Sequence, residues 1–270
     1  MSEFELHNEE ALTALRELDF NRVSSFIVSP PYLGQRGETD IQYHYENCMA
    51  HIYKEAAYKL TKDGTISTVV RFKRDEENWF DMDVFSTWQQ IYYRAGLNML
   101  NLLIWVKSNP VPVGDLYNKP LDIPAHEYIF VGTKSNSPRE AKARCGQRQY
   151  SEKTIAKAAS GNMRGNGRYS NGHSNVAKTA MGFDYIIAAT ADGKNRPVAE
   201  GGSFSMGLAR ELIYRFSDEG DTVGDFFAGV CTTGKAALEM GRNFWGCDRH
   251  DVDLQKGHDW LNDAEQMRLL

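Results

Sequence analysis

Apolar residues in this chain occur either in short contiguous runs or at intervals of three to four positions, and the two patterns alternate along its length. Runs predict buried strands and the longer interval predicts amphipathic helices. A strand over residues 4–6 leads into a helix with Ala11, Leu12, Leu15 and Leu18 on one face, and Arg22 to Val28 reads as the next strand. A helix from about Glu46 to Leu60 puts Met49, Ile52, Tyr53, Ala56 and Leu60 on one side; Asp63-Gly64 then predicts a turn into the strand Thr65–Val70. Asp81 to Ala95 repeats the helical pattern with Val84, Phe85, Trp88, Ile91 and Tyr92 inward and Gly96 as its stop. Strands Met99–Lys107 and His126–Thr133 follow, on either side of a proline-rich connection from Asn109 to Pro124. Farther on, Leu208, Ala209, Leu212, Ile213 and Phe216 share a helix face. Asp221–Phe227 is a predicted strand, Thr232–Met240 a helix closed by Gly241, and Asn243–Asp248 another strand.

Strands alternating with helices imply an α/β fold, a mainly parallel sheet covered on both faces. At 270 residues the chain accommodates one large domain with a small insertion, or two domains. Regularity lapses over 135–195, which divides the chain into a first half, 1–134, an insertion, 135–195, and a second half, 196–270. No apolar run approaches a membrane span, residues 1–10 carry no signal-peptide pattern, and the four cysteines lack metal-type spacing. A reducing cytoplasm is the expected location, with no membrane contact and no metal.

Charge changes the picture of the insertion. The net charge is −5, yet Arg139, Lys142, Arg144, Arg148, Lys153, Lys157, Arg164, Arg168 and Lys178 face only Glu140 and Glu152. That segment is therefore +7 and the remaining chain −12. Gly161, Gly165, Gly167 and Gly172 are interleaved there with asparagines. Such a stretch can follow a phosphate backbone with charge and with backbone N–H groups, and those nine residues are the candidate nucleic-acid ligands. The same composition also fits a solvated loop.

Two motifs carry candidate chemistry. Ser29-Pro30-Pro31-Tyr32 stands directly behind the apolar run Phe26-Ile27-Val28. Proline fixes φ and lacks an N–H, so the chain leaves the strand in a stiff extended turn. That turn offers a hydroxyl and carbonyls to an exocyclic amine, and a ring on which a flat base can stack. The second motif runs from Asp225 through Phe227, Gly229 and Thr232 to Asp248. It is a strand, a glycine-containing turn, a helix, a strand and an acid, with 19 positions from Gly229 to Asp248. That is close to the spacing at which a Rossmann-type unit sets a carboxylate on a ribose.

Together these motifs resemble the amino-group DNA methyltransferases, which use S-adenosylmethionine and carry a (Ser/Asn/Asp)-Pro-Pro-(Tyr/Phe) motif. The likeness extends to Ile104-Trp-Val-Lys-Ser-Asn-Pro-Val-Pro112 and His126-Glu-Tyr-Ile-Phe130, in the circularly permuted order of the beta-type class. It implies a Rossmann-like, seven-stranded, mostly parallel methyltransferase sheet whose first strand lies beside its last, with the basic insertion as the target-recognition region. It also implies a cofactor pocket of Glu10, Phe204, Asp225, Phe227, Gly229, Thr232 and Asp248, with Glu10 on the adenine amine and Asp248 on the ribose. Catalysis falls to Ser29, Pro30, Pro31 and Tyr32: the Ser29 hydroxyl and Pro30 carbonyl accept the amine's N–H bonds while Tyr32 stacks on the base. Two positions depart from the family. Cys231 stands where the second glycine of the turn is usual, and Ser205 replaces a proline after Phe204.

Serine at position 29 points to cytosine N4, since the adenine N6 enzymes more often have Asp or Asn there. Adenine N6, an RNA amine, and a non-catalytic DNA-binding protein with a decayed cofactor pocket are the other readings. A cognate restriction endonuclease is an expected partner where such an enzyme belongs to a restriction–modification pair; oligomeric state stays open.

Overall fold

A computed structural model describes residues 2–31, 42–70, 84–108, 125–138, 140–142, 148–149, 179–180, 184–189 and 204–268. The chain divides into two compact units, Met1–Ala143 with Asp184–Leu270, and Arg144–Phe183. In the smaller unit, β6 (Arg148–Gln149) and β7 (Thr179–Ala180) form an antiparallel pair.

The larger unit is built on β1 (Phe4–His7), β2 (Val23–Val28), β3 (Leu60–Val70), β4 (Asn98–Lys107), β5 (His126–Thr133), β8 (Tyr185–Ala188), β9 (Thr222–Asp225) and β10 (Asn243–Cys247). Its helices are α1 (Ala11–Glu17), α2 (Gln42–Lys59), α3 (Val84–Arg94), α4 (Met206–Phe216), α5 (Thr232–Glu239) and α6 (Asp251–Arg268). The strands form one sheet in the order β1-β10-β9-β2-β3-β5-β4-β8. Every neighbouring pair is parallel except the two made by β5, which runs against β3 and β4. The first strand does lie beside the last, with Phe4 opposite Phe244 and His7 opposite Cys247.

Alternation along the strands sends side chains to two separate cores. Phe26, Ile66 and Trp245 pack with Leu15, Tyr53 and Trp88 beneath α1, α2 and α3. Ile27, Val69, Val223 and Phe244 pack with Leu212, Ala236 and Leu254 beneath α4, α5 and α6. All six residues of β2 are buried, as a central parallel strand covered on both faces requires. The result is that β1, β10, β9 and β2 all end at one edge of the sheet.

Several expectations are corrected. The sheet has eight strands rather than seven, because β8, within the range read as insertion, pairs in parallel with β4. Asp63-Gly64 is not a turn leading into the strand: β3 starts at Leu60 and includes both residues, and its surplus over β2 falls at the irregularity where Val23 pairs with Leu60 and Ser25 with Thr65. Gly64 leaves little room there, since a Cβ would stand 3.0 Å from the Ser24 carbonyl oxygen. The helix expected from Glu46 begins at Gln42. β9 ends at Asp225, two residues before the expected Phe227, because the Asp225 carboxyl captures the Phe227 N–H at 3.0 Å and turns the chain. Helix α6 carries too thin an apolar face, chiefly Leu254 and Leu261, to be visible as a helical pattern.

Beneath α2 and α3, the buried Tyr92 hydroxyl meets Thr68 Oγ1 at 2.6 Å and the carbonyls of Phe130 at 3.0 Å and Ile66 at 3.3 Å, while Tyr53 reaches Thr68 Oγ1 at 2.8 Å. Burial pushes both phenols up, so they stay protonated and serve as donors. Tyr92→Phe strips one donor from the strand pair β3–β5. It should lower the free energy of unfolding by about 1 kcal/mol in urea titration with the m-value unchanged.

Candidate active site

Four strand ends supply the site. Asp225 closes β9, and its carboxyl is buried, accepting the Phe227 N–H at Oδ1 and lying 2.8 Å from Thr233 Oγ1 at Oδ2. Burial raises its pKa from 3.8 to about 7; the bonds to Thr233 and Phe227 oppose that rise, and the nearby Asp248 charge adds to it. Thr233 Oγ1 also lies 3.3 Å from the carbonyl of Ile27 in β2. The Thr233 hydroxyl donates to Asp225 Oδ2 and, at the longer distance, faces the Ile27 carbonyl, so it bridges the ends of β9 and β2.

Beyond Asp225 the chain makes a tight turn, with Ala228 N bonded to Cys247 O at 3.0 Å and Cys231 N to Ala228 O at 2.7 Å. Gly229 and Cys231 both have positive φ, 49° and 60°. Asp248, after β10, pins this turn: Oδ2 accepts the Gly229 N–H at 2.8 Å and Oδ1 the His250 N–H at 2.9 Å. Each carboxylate oxygen keeps a second lone pair, so both can accept from a ligand as well. Thr232 opens α5 in the same turn; it is 3% exposed and its hydroxyl oxygen has no hydrogen-bond partner among the described residues.

Glu10, after β1, is the N-cap of α1, and its backbone carbonyl accepts from Thr13 N and Ala14 N. Its exposed carboxylate lies 3.5 Å from Arg249 Nη1, one residue past Asp248. Asp248 N in turn donates to His7 O at 3.2 Å, which holds the ends of β1 and β10 level. On the next strand, Ser29 and Pro30 follow β2, and the Tyr45 hydroxyl of α2 donates to the Pro31 carbonyl at 2.9 Å. Nothing in the residue pattern singled out Tyr45; only the contact does. Glu9 was missed too, and its buried Oε2 has no partner among the described residues. Tyr32 lies outside the described residues.

A family model described as a DNA methylase, of the N6 and N4 type, matches residues 23–255. The chain belongs to this family of DNA amino-methylases. No curated protein matches its sequence. Among solved structures it resembles the PvuII cytosine-N4-specific DNA methyltransferase, with a TM-score of 0.71 and 15% identity over 98% of this chain and 93% of that one. It also resembles TTHA0409 of Thermus thermophilus, a putative DNA modification methylase complexed with S-adenosylmethionine (TM-score 0.62, 21% identity, 98% and 94% covered). M1.HpyAVI in complex with S-adenosylmethionine aligns with a TM-score of 0.61 and 16% identity over 96% of this chain and 99% of that one. At these identities the structural likeness establishes the fold.

S-adenosylmethionine is the group bound in the TTHA0409 and M1.HpyAVI structures. The residues of this edge fit that group: an unpartnered buried hydroxyl at Thr232, a buried carboxyl at Asp225, and Asp248 with lone pairs to spare. Phe227 is half-buried beside Phe226, with ring centroids 5.1 Å apart, and Phe204 is buried in the same core as Ala228 and Cys231.

Both departures from the family motif have a local account. Cys231 occupies a left-handed backbone conformation, φ 60° and ψ 39°, which costs a residue with a Cβ about 1–2 kcal/mol and which glycine adopts freely. Its thiol is fully buried, and burial pushes its pKa well above the ordinary value, so it is inert as a nucleophile. Ser205 has φ −79°, close to the angle a proline would impose, and its Oγ accepts the Leu208 N–H at 3.2 Å. The helix start that proline would preset is thus capped by a side chain instead.

The basic residues are placed less completely. Lys142, expected at the nucleic-acid interface, instead bonds within the larger unit to Asp221 and lies 3.2 Å from Asp218. Arg148 lies in β6. Arg139, Arg144, Lys153, Lys157, Arg164, Arg168 and Lys178 fall outside the described residues. Among the described residues no cluster of three or more His, Cys, Asp or Glu could hold a metal, and no helix is long and apolar enough to cross a membrane.

The raised pKa of Asp225 sets a pH dependence. Between its ordinary 3.8 and about 7 the folded protein keeps a proton that the unfolded chain has lost. The group's contribution is therefore intact below that window and is lost as pH rises through it. Asp225→Asn carries no such charge. The difference in melting temperature between this variant and the parent, both free of cofactor, should shift in favour of the variant between pH 5 and pH 8. A difference that stays constant would show that Asp225 is ionised throughout.

Proposed function

We propose that this methylase transfers a methyl group to the exocyclic N4 of cytosine in DNA. The observation that carries the reading is the seat of Ser29 and Pro30 at the carboxyl end of β2, a strand hydrogen-bonded to β9, which ends in Asp225. A base amine presented there meets a neutral hydroxyl rather than a carboxylate. The PvuII enzyme whose fold this chain shares is itself cytosine-N4-specific.

The amine of a base is conjugated to its ring and nucleophilically weak. It is also hidden in a duplex, so the base must be flipped out or supplied single-stranded. Ser29 Oγ and the Pro30 carbonyl accept its two N–H bonds, concentrate the lone pair on nitrogen and fix its direction. The Tyr45 hydroxyl on the Pro31 carbonyl stiffens this turn, so the acceptors are positioned before the base arrives. Tyr32 provides the stacking surface. Glu10, Asp225, Phe227, Gly229, Thr232, Asp248 and Phe204 would hold the cofactor, which when bound would supply an electrophilic methyl and keep the electron pair of the broken sulfur–carbon bond, leaving as S-adenosylhomocysteine, while the proton lost by the amine would pass to water by way of the Ser29 and Pro30 acceptors. No covalent cysteine is required, in keeping with the buried, high-pKa thiols of Cys231 and Cys247.

Adenine N6 is the second reading, because the same two acceptors suit either amine and the matched family spans both. Mapping modified bases in DNA from cells expressing the chain decides between N4-methylcytosine and N6-methyladenine, and gives the recognition sequence. An endonuclease cutting that same unmodified sequence would complete a restriction–modification pair. Ser29→Ala should lower the single-turnover rate on the order of 10²-fold while leaving cofactor affinity intact. Methylation at the parental rate would make the Pro-Pro turn structural.

DNA binding is assigned to Arg139 and the basic residues from Arg144 to Lys178. Replacing Arg164 and Arg168 by Gln should flatten the dependence of log affinity on log salt by about 0.9 per residue on duplex DNA, or about 0.7 on single strands. An unchanged slope and affinity would put the contact elsewhere.

A further inference from the structure

Helix α6 backs the outer side of the cofactor turn. Gly257 is buried in α6 where helix and turn meet. A Cβ at this position would stand 2.6 Å from Cys231 Sγ, 3.1 Å from Cys231 Cβ and 3.0 Å from the carbonyl carbon of Val230. The first of these is closer than atoms can pack, so something would have to move.

Little on either side is free to do so. The Cys231 thiol is fully buried, its N–H is bonded to Ala228 O at 2.7 Å, and its carbonyl accepts from Lys235 N at 2.9 Å. Helix α6 is anchored by the buried Leu254 and Leu261 and by Lys235 Nζ, which donates to Trp260 O at 3.1 Å. Strain introduced at the contact would therefore reach the backbone of Val230 and Cys231, next to Gly229 and Thr232.

We propose that Gly257 is a positioning residue for the cofactor turn: its missing side chain provides the space that the Cys231 thiol, standing where the family has glycine, occupies. The two positions act as a pair, in which the glycine absent from the turn is supplied by the facing helix. This rests on the reading that the turn holds S-adenosylmethionine.

The test uses the full chain as Gly257→Ala, Cys231→Gly and the double variant, with S-adenosylmethionine affinity by calorimetry and the melting temperature of the cofactor-free protein. Gly257→Ala should lower the melting temperature and weaken cofactor binding about tenfold or more. Cys231→Gly in the same chain should bring affinity back to within about threefold of the parent, the remaining 3.0 Å approach to Val230 limiting recovery. Ile66→Val, a core truncation on the opposite face of the sheet, should lower the melting temperature without changing affinity, which separates turn placement from general destabilisation. Parental affinity in Gly257→Ala, or a double variant no better than the single one, would overturn the proposal. If Gly257→Ala does not fold, a double variant that folds and binds supports it, and one that also fails refutes it. A parent chain that bound no S-adenosylmethionine would sink the cofactor reading instead, and recovery of the melting temperature in the double variant would still decide whether the two residues share one space.

Discussion

The buried Asp225 carboxyl joins parts of the protein that are distant in sequence. It ends β9 by taking the Phe227 N–H, meets the first turn of α5 through Thr233, and through that hydroxyl reaches the Ile27 carbonyl in β2. The Gly229 turn, the helix after it and the strand carrying the Ser29-Pro30 turn are thereby held in one arrangement. A carboxyl in such a position is costly when ionised and nearly free when protonated. A pKa of about 7 leaves it close to balance at neutral pH, where a cationic ligand nearby favours the charged form.

Charge is unevenly divided along the chain. Asp225, Asp248 and Glu10 gather at the sheet edge, where strand ends meet, and favour a cationic group over phosphate. Basic residues are concentrated between 139 and 178, leaving the remainder of the chain at −12. Lys142, near the start of that segment, is already neutralised: its ammonium turns back to Asp218 and Asp221.

The two positions that depart from the family's usual residues meet different backbone demands. A left-handed backbone at position 231 is set by the turn, not by the residue occupying it, so Cys231 carries strain that glycine would not. Ser205 solves a different problem, since a proline's value at a helix start is its preset φ and a serine cap supplies a bond instead.

Much of this was legible in the sequence. Local periodicity identified the strands and helices with strong apolar patterns, the Pro-Pro turn and the run from Asp225 to Asp248 singled out strand ends that the sheet places on neighbouring strands, and motif order implied that the first and last strands are neighbours. These are properties of short stretches, encoded in backbone preference and in which side of an element is apolar. Other features arise only when distant stretches meet. β8 exists as a strand because β4 offers it an edge, and Trp105 Nε1 binds the carbonyl of Ala188 across 83 positions. Helix α6 needs few apolar residues because it rests on a turn already built. Tyr45 gains its role from the Pro31 carbonyl above it, and Gly257 from a thiol 26 positions earlier. The raised pKa of Asp225 has the same origin. An aspartate at a strand end is ordinarily solvated and acidic, and only packing against other parts of the chain removes the water that would keep it so.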